Sequence, residues 1–194
     1  WHNTIYAHCL AADAIRKADL AALVGIAPTG RICTPATDSP ADIAAARQAM
    51  FDLEDGNWTF TYSPALDPIV LGKWPQIKGG QAQRVIDAIP QEQLDALLLG
   101  RLDFIGMNIY NSIAVRARAD GKPEFCPRAA GHPRTAIGWP ITPESMEWGT
   151  RFIWERYGLP IYISENGLSC TDSIHLDGKV HDPARIDFTH RYLL

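Results

Sequence analysis

The chain has 194 residues, of which 46% are hydrophobic and 21% are charged, and its formal net charge is -4 at pH 7. This composition predicts a globular protein of about one domain, and the lack of a basic excess argues against nucleic acid as its main partner. The sequence has no run of about 18 apolar residues, so it predicts no membrane span.

Four cysteines lie far apart, without a C-x-x-C pair: Cys9, Cys33, Cys126 and Cys170. This spacing favours neither a zinc site nor a disulfide framework. We therefore expect small buried side chains in a reducing compartment, most simply the cytoplasm. The chain begins at Trp1 within a helical pattern, without a signal peptide, and ends at Leu194 within another. Both ends are expected to be cut from a longer protein.

The first quarter of the chain alternates between helical and strand patterns. One apolar face predicts a helix from Thr4 to about Asp19, with Asn3 as a candidate N-cap. The residues on that face are Ile5, Cys9, Ala12 and Ile15. Residues 22–27 predict a short buried strand. Ser39, as a cap before proline, predicts a second helix to about Leu53.

The middle of the chain is less regular. Residues 56–82 place aromatic side chains among proline and glycine, which predicts irregular helix and loop. A short helix is expected after Pro90. Residues 103–110 predict a second strand that continues toward Val115. Residues 116–138 are polar and contain several prolines and glycines, so they predict a long solvated loop.

The last third ends with the clearest strand. Thr142 before Pro143 predicts the start of a helix that ends at Gly158. An apolar strand then runs to Glu165, and Asp182 precedes a final helix. Strands separated by helices predict a parallel sheet with right-handed crossovers, and therefore an α/β fold.

Two α/β architectures remain to be distinguished. A doubly wound sheet usually carries a glycine-rich phosphate turn, and neither G-x-G-x-x-G nor G-x-x-x-x-G-K-[ST] occurs. A (β/α)8 barrel needs about 250 residues and eight strands. With three predicted strands, the barrel interpretation requires that the chain is part of a larger one.

Polar side chains follow two of the apolar strands, where α/β folds place their chemistry. Glu165 ends one strand, and a carboxylate there needs a partner or a function, with catalysis and a structural role about equally favoured by position. Tyr110 ends another, and its hydroxyl at the shared strand edge is expected to donate to the carboxylate. A core tyrosine with its hydroxyl at the rim explains Tyr110 about as well.

Five segments resemble motifs of glycoside hydrolase family 1, the β-glucosidase family, in the family's order. The strongest are residues 161–167 (IYISENG), which resemble I-x-[IV]-[TS]-E-N-G, and residues 104–110 (FIGMNIY), which resemble F-x-G-x-N-x-Y. Residues 138–144 (GWPITPE), 67–75 (DPIVLGKWP) and 177–186 (DGKVHDPARI) match further motifs. Together they span nearly the whole chain.

The resemblance implies a partial (β/α)8 TIM barrel, with 1–194 as a single partial domain that holds about strands 5 to 7. It implies a retaining β-glycosidase with Glu165 as the nucleophile and Tyr110 as the residue that orients it. It places Asn108 and Trp139 at the substrate, although a tryptophan before a helix is also often only packing. It implies no cofactor and no metal.

The resemblance also implies missing parts. The acid/base glutamate of the T-x-N-E-P motif does not occur and is expected upstream of Trp1, while the tryptophan-rich eighth strand is expected beyond Leu194. The remainder of the same barrel is therefore an expected partner, beside a small β-glycoside or oligosaccharide. The sugar is left open among glucose, galactose, fucose and 6-phosphosugars.

Other interpretations compete with this one. A non-catalytic sugar-binding barrel, or an inactive fragment, is the main rival, and another barrel hydrolase with a glutamate on strand seven is a third. The histidines near the end of the chain, His175, His181 and His190, lack metal-binding spacing and are expected at the surface or at caps.

Overall fold

The computed structural model describes residues 1–53, 60–77 and 80–194. Its α-helices are α1 (His2–Ala18), α2 (Pro40–Phe51), α3 (Ser63–Leu66), α4 (Gly80–Asp87), α5 (Gln91–Asp95), α6 (Glu144–Tyr157) and α7 (Pro183–Leu193). A π-helix (Asp67–Leu71) follows α3, and a 3-10 helix (Ala96–Gly100) follows α5. The strands are β1 (Gly25–Ile26), β2 (Cys33–Pro35), β3 (Phe104–Asn108), β4 (Ile113–Ala117), β5 (Pro123–Cys126) and β6 (Ile161–Glu165).

The chain divides into two compact units. The first comprises Trp1–Arg31, Met50–Met107 and Ile153–Ser164, and the second comprises Ile32–Ala49, Asn108–Phe152 and Glu165–Leu194. None of the helices in the described part of the chain has the length and apolar character that a bilayer crossing demands.

The first unit is built on a sheet in the strand order β1-β3-β6. β1 pairs in parallel with β3, with Gly25 opposite Phe104, and the Ile105 amide donates to the Pro160 carbonyl at 2.9 Å. The prediction of an α/β fold with parallel strand pairing is thereby confirmed.

β6 differs from its prediction as a buried strand. It lies at the edge of the three-stranded sheet, and Tyr162 and Ile163 are 60% and 40% exposed. The apolar sequence of β6 predicted a strand that is covered on both faces. β6 is instead an edge strand with a neighbouring strand on one side only, and its side chains stay partly exposed. β1 is also shorter than predicted and covers two residues rather than 22–27.

α1 packs on the 3-10 helix of the first unit through Ile5, Cys9 and Ala96. α1 begins at His2 with Trp1 as its N-cap, so Asn3 lies inside the helix rather than capping it. Ile15 is 45% exposed and does not join the core. At about 100° per residue it lies about 80° around the helix from Ile5, outside the buried stripe.

The predicted irregular segment 56–82 contains more helix than expected. α3, the π-helix and the start of α4 fall within it. Residues 56–59 and 78–79 of this prediction lie outside the described residues. The helix expected after Pro90 is confirmed as α5 and the 3-10 helix that follows it.

The second unit contains a sheet in the order β2-β4-β5, which the sequence did not predict as a sheet. β2 pairs in parallel with β4, and β4 pairs antiparallel with β5. The prediction of a loop over residues 116–138 is therefore wrong for its first part. The hairpin turns near Gly121, at φ 78°, and Arg116 bonds Glu124 across the strands at 2.9 Å. The hairpin was missed because the polar, exposed residues of this segment lack the apolar run that predicted the other strands.

The strand predicted over 103–110 and onward to Val115 is likewise two strands, since β3 ends at Asn108 and β4 begins at Ile113. The break leaves residues 109–112 outside the strands, between the two. Because of this interruption, Tyr110 follows the end of β3 and takes no part in its strand pairing.

Helix-boundary signals were more reliable. The Ser39 hydroxyl accepts the Asp42 amide at 3.1 Å, which caps α2 as predicted, although α2 ends at Phe51 rather than near Leu53. Gly158, at φ 66°, closes α6, and its amide donates to the Trp154 carbonyl at 2.8 Å. α7 begins directly after Asp182, as expected.

Candidate active site

Tyr110 and Glu165 meet in the second unit, where β3 and β6 end. The Tyr110 hydroxyl donates to Glu165 Oε2 at 2.6 Å, as the sequence predicted. This bond to the carboxylate, together with partial burial, raises the pKa of Tyr110, because loss of the phenolic proton would place two negative charges side by side. The phenol therefore stays a donor at neutral pH, and one oxygen of Glu165 is held in a fixed direction.

Asn166 joins the same two chain segments by a second route. The Ile109 amide donates to the Glu165 carbonyl at 2.8 Å, and Asn166 Nδ2 donates to the Ile109 carbonyl at 2.8 Å. Both backbone groups of Ile109 are thus bonded to residues 165 and 166. Asn166 was not predicted to have a role, although its place directly after a strand-end carboxylate was a usable signal.

Trp139 lies beside Tyr110. Their ring centroids are 5.5 Å apart at an interplanar angle of 64°, an edge-to-face contact. The indole is 44% exposed, so one part of it remains open to a ligand. Trp139 and Tyr110 line a cavity of about 380 Å³, together with Thr135, Ile137 and residues 166–169.

A tight turn sets the position of Trp139. Gly138 adopts φ 84°, a conformation that L side chains rarely adopt. The Thr135 hydroxyl accepts the Trp139 amide at 3.1 Å, and the Thr135 amide donates to the Trp139 carbonyl at 2.8 Å. The geometry therefore brings Tyr110, Glu165 and Trp139 together. Asn108 is the half-buried last residue of β3, and its place at the substrate stays a prediction.

One group of metal-ligating side chains lies on the loop and helix start after Glu165. Ligand atoms of Cys170, Asp172 and Asp182 fall within 4.8 Å of one another. Arg185 supplies the positive charge there, since its guanidinium bonds Asp172 at 2.6 and 2.8 Å and Asp182 at 2.8 Å. Burial is the main cause that raises the pKa of the Cys170 thiol, whose Sγ lies 3.6 Å from Asp172 Oδ1. The two carboxylates of this group therefore form ion pairs with Arg185.

The histidines of the same loop also have non-metal partners. His181 Nε2 lies 2.7 Å from Asp177 Oδ2, and the His181 ring contacts the edge of His175 at 4.8 Å between centroids. His181 is about half exposed, as expected for a surface histidine.

The sequence profile of glycosyl hydrolase family 1 matches residues 1–194, the whole chain. The chain belongs to glycosyl hydrolase family 1. Beta-glucosidase A of Thermotoga maritima is 30% identical over 195 residues, which cover 99% of this chain and 42% of that protein. A 1,4-beta-D-glucan glucohydrolase of Thermotoga neapolitana is 28% identical over 193 residues, covering 99% of this chain and 44% of that protein.

A solved family 1 structure has the same backbone course. The beta-glucosidase from Thermotoga maritima in complex with glucoimidazole superposes with a TM-score of 0.72 at 30% identity, covering 99% of this chain and 42% of that chain. This family 1 chain therefore spans less than half the length of the relatives it matches.

Proposed function

We propose that this chain is part of a retaining β-glycosidase that hydrolyses terminal β-linked sugars from small glycosides. Glu165 is the nucleophile and Tyr110 orients it. The observation that carries the proposal is the 2.6 Å hydrogen bond from Tyr110 to Glu165 beside an open aromatic cavity. Family membership and the β-glucosidase names of the relatives supply the substrate class.

The chemistry proceeds in two displacements. A Glu165 oxygen forms a bond to the anomeric carbon as the bond from that carbon to the leaving oxygen breaks, and a second carboxylic acid protonates that oxygen. A water molecule then attacks the anomeric carbon, gives its proton to the second carboxylate and releases Glu165. Two inversions at the same carbon leave the product in the β configuration.

The second carboxylate belongs to a segment outside residues 1–194. No Asn-Glu-Pro sequence occurs in the chain, and the chain covers 42% of its β-glucosidase relative. In a retaining site the two carboxyl groups stand about 5–5.5 Å apart, so that segment must approach the exposed side of Glu165. Residues 1–194 alone are therefore expected to be inactive.

The same coverage supports a barrel architecture. We place β1, β3 and β6 as strands 5, 6 and 7 of a (β/α)8 barrel, with 1–194 as part of one domain. The exposed edge of β6 is then the place where the remainder of the barrel pairs. Trp139 forms a platform for the leaving-group sugar, and Asn108 contacts the sugar in the site. β-Glucosides are the first substrates to test, with other sugars as alternatives.

The test uses the complete protein that contains this chain. Glu165→Gln removes the nucleophilic charge at nearly constant shape and should abolish turnover of an aryl β-glucoside. Glu92→Gln is the matched control, since Glu92 also accepts a tyrosine hydroxyl, from Tyr6 at 2.7 Å. That control should keep the parental kcat.

A chemical rescue distinguishes a nucleophile from a carboxylate with another role. In Glu165→Ala, added azide can attack the anomeric carbon in place of the carboxylate, and one inversion gives an α-glycosyl azide. Retained turnover in Glu165→Gln contradicts the assignment, as does an α-configured first product from the parent protein. Absence of any hydrolysis by the complete parent would favour the non-catalytic sugar-binding alternative.

A further inference from the structure

The backbone carbonyl of Tyr110 is held by a tyrosine on α7. Tyr192 Oη donates to the Tyr110 carbonyl at 2.8 Å and accepts the Thr142 amide at 2.9 Å. A hydroxyl has a single proton to donate, so the one that Tyr192 carries is committed to Tyr110. Tyr192 is 3% exposed, and water therefore does not compete for either bond.

A second tie holds the other end of the same short segment. The Ser112 amide donates to Thr142 Oγ1 at 2.9 Å, and Ser112 and Thr142 are 2% and 0% exposed. Residues 110–112 are thus fixed by Tyr192 at their first carbonyl and by Thr142 at their last amide. Because Thr142 also bonds Tyr192, the contacts close into a ring.

Packing in α7 sets the direction of the Tyr192 hydroxyl. Its ring stacks on Phe188, with centroids 4.0 Å apart and planes at 24°. Phe188 is 2% exposed. A stacked, buried ring has little freedom to turn away, so its hydroxyl is a fixed reference point for the Tyr110 carbonyl.

We propose that Tyr192 is a positioning residue for the Tyr110–Glu165 pair, an inference that rests on the proposed function. Tyr192 is not among the residues that line the cavity beside Trp139, and it acts through its bond to Tyr110. The Tyr110 carbonyl belongs to the peptide after Tyr110, and the Ile109 carbonyl, which accepts from Asn166, belongs to the peptide before it. With both peptide planes held, the direction in which the Tyr110 side chain leaves the backbone is set. Small displacements of an orienting group lower turnover more than binding.

The experiment compares Tyr192→Phe with Phe152→Leu in the complete protein. Tyr192→Phe removes one oxygen and both hydrogen bonds, whereas Phe152→Leu shortens a fully buried side chain on α6 and leaves Tyr192, its stacking partner and its bonding groups in place. For Tyr192→Phe we expect kcat on an aryl β-glucoside to fall about tenfold, with KM changed by less than about twofold. Phe152→Leu should lower the melting temperature with kcat near that of the parent.

Titration of the Tyr110 phenol gives a second measurement, which a loss of stability alone does not change. The Tyr110 phenol is followed by carbon NMR of labelled tyrosine, with Tyr110→Phe to assign its signal. In Tyr192→Phe the pKa of Tyr110 should fall toward its ordinary range, because the contact with Glu165 loosens. In Phe152→Leu it should stay at the parental value.

Parental kcat and parental Tyr110 titration in Tyr192→Phe overturn the proposal. Equal losses in both variants, in proportion to melting temperature, also overturn it. If Tyr192→Phe does not fold in buffer alone, both variants and the parent are assayed in sucrose, an osmolyte that favours the compact state. In that solution a kcat of Tyr192→Phe below those of the parent and Phe152→Leu supports the proposal, and a parental kcat overturns it.

The Glu165→Gln variant separates this inference from the function on which it rests. If Glu165→Gln is inactive while Tyr192→Phe behaves as the parent, the glycosidase assignment stands and the positioning role falls. If Glu165→Gln keeps parental turnover, both fall.

Discussion

The Tyr110 hydroxyl and Glu165 Oε2 lie 2.6 Å apart although 55 positions separate the two residues along the chain. A distance this short is typical of a hydrogen bond to a charged acceptor. The described part of the chain contains a second tyrosine–glutamate bond of similar length, from Tyr6 to Glu92 at 2.7 Å. The two pairs differ in setting, because only Tyr110 lines a cavity beside an open tryptophan.

Tyr110→Phe should lower kcat on an aryl β-glucoside about 10- to 100-fold, the equivalent of one hydrogen bond to a charged group. The ring and its contact with Trp139 remain, so binding should change little. Tyr6→Phe removes the matching surface bond and should leave kcat unchanged. Steady-state kinetics of the complete protein measure both, and an unaltered kcat in Tyr110→Phe contradicts the orienting role.

The pKa of Tyr110 should return toward its ordinary range in Glu165→Gln, since the raised value in the parent is caused chiefly by the bond to Glu165. A phenol with a raised folded-state pKa stabilises the fold at pH values below its unfolded pKa of about 10, and that contribution is lost as the pH rises through the folded value. Carbon NMR of labelled tyrosine across the alkaline range measures the shift. Identical Tyr110 titrations in parent and variant would argue that the bond does not persist in solution.

Gly138→Ala should destabilise the protein by about 1–2 kcal/mol, because Gly138 has φ 84° and a Cβ in that conformation is strained. Gly131→Ala is the matched control, since an added Cβ meets no atom within 4 Å at either position and Gly131 lacks the positive φ. Urea unfolding gives the free energies. We also expect KM for aryl β-glucosides to rise in Gly138→Ala, because the turn places Trp139, and an equal effect in both variants contradicts this.

Arg156→Met should destabilise the fold by about 2–4 kcal/mol, somewhat below the loss for a fully buried pair because a third of the arginine side chain is exposed. Arg156 bonds Asp67 at 3.1 and 2.7 Å and covers the Phe51 ring at 4.7 Å, while Asp67 is 2% exposed. Loss of the Arg156 guanidinium leaves the buried Asp67 carboxylate with the hydrogen bond from the Tyr157 hydroxyl, at 2.7 Å.

The comparison for this pair is a surface ion pair. Lys17→Met breaks the ion pair between Lys17 and Asp13. Because the Lys17 side chain is 75% exposed, this change should lower the free energy of unfolding by less than about 1 kcal/mol. Urea denaturation of both variants tests the contrast. Similar losses would show that burial of Asp67 does not set the energy of its pair.

The sequence by itself determined the features that depend on neighbours along the chain. The Ser39 hydroxyl caps α2 by accepting the amide of Asp42, three residues later. Gly158 ends α6 through its own backbone conformation, so both boundaries follow from local chemistry. The carboxylate at the end of an apolar strand, Glu165, was recognisable for the same reason. Its bond to Tyr110 could also be anticipated, because adjacent parallel strands present their ends at one edge.

Only the tertiary structure decided which strands have neighbours on both sides and which groups distant in sequence form hydrogen bonds. The apolar sequence of β6 does not state that it forms a sheet edge, and the polar sequence of β5 does not state that it pairs with β4. The bond from Tyr192 to the Tyr110 carbonyl joins residues 82 positions apart. Such contacts arise from packing between elements, and a hydroxyl on a helix carries no local sign of the carbonyl that it will meet.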